Sequence, residues 1–92
     1  MSRFLIEIPH SSEHEGCVRS LAAIANYGSH LVTQCDFGCE DGVHCGYLIV
    51  DVESRDEARH MVPPPYRVDA RVTKLRKWTR EQIETMLKEL EG

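Results

Sequence analysis

Residues 35–45 hold three of the four cysteines of this chain, Cys35, Cys39 and Cys45, together with His44. Thiolates and neutral imidazoles are the ligands of borderline-soft ions such as Zn, Ni and Cu. The spacing Cys35-x3-Cys39-x4-His44-Cys45 lacks the paired Cys-x2-Cys of a zinc finger, so a metal here needs ligands from elsewhere in the chain. His10 is the best placed to supply one, and the predicted set is His10, Cys39 and His44. With three protein ligands the fourth position is open to water, substrate or a partner chain. The competing reading is that free cysteines pack as small apolar residues. Cys17 is read in that way, because it stands at helical spacing among apolar positions.

The elements that must position these residues follow from hydrophobic period. Phe4, Ile6 and Ile8 alternate through Arg3 to Ile8, which predicts a strand that Pro9 ends. Ser12 and Glu15 have capping-box spacing before Val18, Leu21, Ala22, Ile24 and Ala25, which predicts a helix closed by Gly28. His30 to Phe37 predicts a second strand, Gly38 to Gly42 a hairpin loop and Val43 to Val52 a third strand. If Phe37 pairs with Val43, Cys35 lies across from Cys45, and Asp36 lies across from His44, where it could orient the imidazole. Ser54 and Glu57 open a short helix that Pro63-Pro64-Pro65 stops. Val68 to Trp78 predicts a fourth strand, with a bulge near Lys74 to reconcile Val72 with Leu75. Thr79 and Gln82 cap a final helix carrying Ile83, Met86, Leu87 and Leu90.

This order predicts one α+β domain over residues 1–92: a ferredoxin-like βαββαβ fold with an extra C-terminal helix and an antiparallel sheet of order 4-1-3-2. In that order the end of the first strand lies beside the start of the third, which brings His10 to the rim of the sheet with Cys39 and His44. The third strand is apolar on both faces, so the second sheet face also requires cover. A second copy of the chain would provide it, as in a dimeric α+β barrel.

Composition narrows the classes. The 92 residues suffice for one domain, and hydrophobic and charged fractions of 41% and 28% are those of a globular protein. A formal charge of −4 argues against a nucleic-acid partner. No apolar run suits a membrane span, and the N-terminus does not have the form of a signal peptide, so the expected compartment is the cytoplasm. Thiols there are expected to be reduced. Arg67, Arg71, Lys74, Arg76, Lys77 and Arg80 gather in one segment, read as the charged edge of a sheet in preference to an anion site.

Ile8-Pro9-His10-Ser11, Phe37-Gly38-Cys39-Glu40-Asp41-Gly42-Val43-His44, Val62-Pro63-Pro64, Ala70-Arg71-Val72 and Lys77-Trp78-Thr79-Arg80-Glu81-Gln82-Ile83 together resemble a group of small prokaryotic proteins of unknown function. Their hairpin has a Gly-Cys-x-x-Gly-x-His pattern, which Cys39, Gly42 and His44 match. The resemblance implies a ferredoxin-like dimeric α+β barrel. That wider superfamily includes muconolactone-isomerase-like proteins, cofactor-free monooxygenases and metal binders. The leading expectation is therefore a homodimer that binds a metal or a small molecule. A cofactor-free isomerase or monooxygenase is the alternative, with Glu7, Tyr47, Cys35 and Cys45 as candidate catalytic groups. A third is a structural or regulatory subunit acting through its surface.

Overall fold

A computed structural model describes residues 1–27 and 34–92. Four strands and three helices are defined within them: β1 (Ser2–Pro9), α1 (His14–Tyr27), β2 (Asp36–Phe37), β3 (Cys45–Val52), α2 (Arg55–His60), β4 (Arg71–Leu75) and α3 (Arg80–Glu91). Short 3-10 turns occupy Cys39–Asp41 and Pro64–Tyr66. The sheet is antiparallel throughout, in the order β2-β3-β1-β4. This is the predicted order read from the other edge.

Alternation along the strands decides what is covered. Phe4, Ile6 and Ile8 point to one face, where they meet Leu48 and Val50 of β3 and Val72 of β4. Ile24 of α1, Ala58 of α2 and Val62 close over them. Ile6, Ile8, Ile24, Leu48 and Val62 are fully buried, each worth roughly 1.5–3 kcal/mol of hydrophobic transfer. Arginines tie the connections to this layer. Arg59 donates to the carbonyls of Arg67 and Ala70, and Arg55 donates to that of Val72. Arg67 donates to the Val62 carbonyl and the Tyr27 hydroxyl, so its role is structural and it stands apart from the basic edge.

Three local expectations are corrected. Phe37 pairs with Gly46 and Asp36 with Tyr47, three residues beyond the pairing the sequence suggested. The hairpin is longer because Gly38 accepts from Asp41 and Val43 through its carbonyl while its own N–H reaches Cys45. An odd shift turns every side chain to the other face. Cys35, which precedes the strand, packs its sulfur over Gly46 on the helix-covered face, and Cys45 alternates to the opposite one. The two thiols are therefore not cross-strand partners, and Asp36 is exposed, away from His44. In β4 the pairing with β1 is continuous from Arg71 to Leu75, with Val72 facing the core and Leu75 the open face, so no bulge is present. The strand is also shorter than Val68 to Trp78. The expected strand residues 30–33, Gly28 as the helix end and His30 lie outside the described residues.

Helix capping is partly as read. Thr79 and Gln82 form the full reciprocal box. Ser54 accepts from the Glu57 N–H, while the Glu57 carboxylate turns to the N–H of Glu53. At α1 the Glu13 carbonyl accepts the first helical bond, from Cys17. That places the cap one residue beyond Ser12.

Candidate metal centre

The pairing of β1 with β3 runs Ser2↔Val52 to Pro9↔Cys45, and its next step sets His10 opposite His44. The His10 N–H donates to the His44 carbonyl at 3.0 Å, and the imidazole rings meet edge to face with centroids 5.6 Å apart. Both residues alternate with Ile8 and Gly46, toward the helix-covered face.

The chain then turns at Ser11 and enters α1, which lays its first turn over this end of the sheet. Gly16 permits the approach: a Cβ there would stand 2.6 Å from the Ser11 Cβ. Cys17 follows it and points its thiol into the same space. From the other side comes Cys39, at the start of the 3-10 turn. Gly38 allows that turn to fold against Val43, whose carbonyl would lie 2.8 Å from an added Cβ. Gly42 ends the turn at φ +78°, a left-handed conformation suited to glycine.

His10, Cys17, Cys39 and His44 each offer one ligand atom, and all four lie within 4.8 Å of one another. The His10 Nε2 is 3.2 Å from the Cys39 sulfur and 3.4 Å from that of Cys17, and the sulfurs are 3.6 Å apart. A tetrahedron of Zn–N and Zn–S bonds of 2.0–2.3 Å has edges of about 3.3–3.8 Å. Three edges of the cluster already have nearly these lengths. The Nδ1 atoms of His10 and His44 are buried without a hydrogen-bond partner among the described residues. Such atoms are costly unless something ligates or hydrates them; His10 faces the sulfurs with Nε2, so of the two only the Nδ1 of His44 is open to an ion in the cluster.

Burial lowers the His10 pKa below its ordinary value; a polar contact with the Ile8 backbone opposes this, and His44 adds to it. The ring is thus held in the neutral form that a metal requires. Burial, and then the adjacent Cys39 thiol, raise the pKa of Cys17. Metal entry must displace that proton. Two thiolates would then balance a divalent ion, leaving no net charge in a half-buried site. On its outer side His10 borders a groove of about 370 Å³ lined also by Pro9, Ser11, Pro65, Tyr66 and Asp69.

The structure brings together the three predicted ligands and adds a fourth, Cys17. The sequence offered a faint signal for it: a helix-weakening glycine immediately before a cysteine, in the first turn after the His10 loop. The other candidates do not join this cluster. Glu7 and Tyr47 oppose each other on the open sheet face. Cys35 is part of the core, where burial pushes its thiol up to about 11. Cys45 is buried nearer Tyr47, and contact with it raises the Tyr47 hydroxyl. Comparison of the chain with protein-family models, curated proteins and solved structures finds no match.

Proposed function

We propose that this protein binds one transition-metal ion through Cys17, Cys39, His10 and His44, and that the tetrahedral two-sulfur, two-nitrogen donor set suits zinc. The observation that carries this reading is the near-tetrahedral spacing of one imidazole nitrogen and two sulfurs, with His44 completing the set. Four protein ligands fill a tetrahedral shell, the arrangement of structural zinc rather than of a catalytic site with an open position. The ion would join three segments distant in sequence: the end of β1, the first turn of α1 and the β2–β3 hairpin. Its role is thus to fix α1 on the sheet. The protein is read as a ferredoxin-like homodimer of the cytoplasm. Strand order supports the fold, and the exposure of Ile49 on the sheet face opposite the helices supports the dimer. No helix among the described residues is long and apolar enough to cross a membrane.

The test is a titration of Zn, Ni and Cu into untagged native protein and into Cys39→Ser and His44→Ala. The native chain is expected to bind one zinc per chain, at least about a hundredfold tighter than either variant, as the loss of one of four ligands implies. Equal affinity in native and variant proteins would reduce the cluster to a packing coincidence.

A further inference from the structure

Among the described residues, the C-terminal helix leaves its apolar side exposed. In α3, Ile83, Met86, Leu87 and Leu90 recur at helical spacing and form one apolar stripe, and each is 41% exposed or more. A helix of 12 residues is marginal in water by itself, even with a good cap, and takes most of its stability from packing. The chain is correspondingly extended: its radius of gyration is 16.6 Å, against about 12 Å for a compact chain of this length.

The sheet shows the complementary deficit. Its covered face is packed under α1 and α2. Its other face presents Leu5, Tyr47, Ile49 and Leu75 among the charged residues Arg3, Glu7, Asp51 and Arg71, and Ile49 is 48% exposed. Charge follows the same division. Between Ala70 and Arg80 the chain carries Arg71, Lys74, Arg76 and Lys77 and no acid, whereas α3 carries Glu81, Glu84, Glu89 and Glu91 against Arg80 and Lys88. Each copy thus holds an apolar helix stripe flanked by acids, and a sheet face with an apolar centre at Leu5, Tyr47 and Ile49 beside a basic edge strand.

We propose that α3 of one copy covers the open sheet face of a second copy, and that the exchange is reciprocal about a twofold axis. This rests on the homodimer reading and specifies the surfaces that meet. A twofold arrangement satisfies both deficits at once, since each chain donates a helix and accepts one. It also sets each acidic helix beside the basic β4 edge of its partner, which favours this pairing over helix against helix, where the acids would face one another.

The experiment uses the full chain in three forms: native, Leu87→Glu with Leu90→Glu, and Ile49→Lys. All the changed positions are exposed, so the folded chain tolerates them, and far-UV circular dichroism checks this. By sedimentation the native protein is expected to be a dimer at micromolar concentration, and both variants are expected to be monomers with native sheet content. A photo-reactive benzoylphenylalanine at position 87 is expected to cross-link to a peptide of the other copy that contains Ile49 or Leu75. A native monomer would overturn both the homodimer and this interface. A dimer that survives Ile49→Lys, or cross-links running only from helix to helix, would overturn the interface while leaving the homodimer standing.

Discussion

Zinc is expected to raise the thermal unfolding midpoint of this protein by roughly 15–30 °C over the chelated form. A ligand that binds only the folded state adds about 4 kcal/mol when present at a thousand times its dissociation constant. Each kcal/mol moves the midpoint of a domain this small by about 4–8 °C. Packing by itself attaches this end of α1 weakly. Only Cys17, Ser20 and Ile24 of α1 are buried. Of these, Ile24 belongs to the main hydrophobic cluster, and Ser20 spends its hydroxyl on the Gly16 carbonyl of its own helix. The N-terminal half of α1 is therefore attached to the sheet chiefly through Cys17. Scanning calorimetry with zinc and with excess chelator measures the difference. A midpoint that does not move with zinc would show that the helix is held by packing alone.

Replacing Cys17 with Ser is expected to weaken zinc binding by about two orders of magnitude or more. Structural zinc sites bind with roughly 10–16 kcal/mol. Shared over four ligands this is about 3 kcal/mol each, or about a hundredfold in affinity. Serine keeps the size of the side chain but remains a neutral hydroxyl where the ion needs a thiolate. Cys45→Ser serves as the control, because Cys45 points to the other side of the sheet and is expected to leave affinity unchanged. Competition with a chromogenic chelator gives both values. If Cys17→Ser binds as tightly as native protein while Cys39→Ser does not, the centre has three protein ligands, as the sequence by itself suggested.

The difference between three candidate ligands in the sequence and four in the cluster marks where sequence reading succeeds and where it stops. The strand order, and with it the meeting of His10, Cys39 and His44, was legible because it depends only on element order and hydrophobic period. The antiparallel pairing of β1 and β3 then sets the two histidines side by side. Hairpin register was not legible. It depends on how Gly38 and Gly42 shape the loop, and the 3-10 turn at Cys39–Asp41 displaces pairing to Gly46. The odd displacement separated Cys35 from Cys45, so a cross-strand thiol pair became two unrelated buried thiols. Cys17 was hidden for another reason. A buried cysteine at helical spacing has the same pattern whether it packs or ligates. Its place in the cluster shows only when Gly16 lets the helix close on Ser11 and the thiol comes within 3.6 Å of Cys39. The bulge expected in β4 to reconcile Val72 with Leu75 is absent because Leu75 belongs to the open face, opposite Arg3.

X-ray absorption at the zinc edge of the loaded protein tests the central claim most directly, since it counts ligand types around the ion. The Cys17, Cys39, His10 and His44 centre predicts two sulfurs at about 2.3 Å and two imidazole nitrogens at about 2.0 Å, with no water in the shell. A spectrum with one sulfur or none, or with oxygen in the first shell in place of the second thiolate, would contradict it.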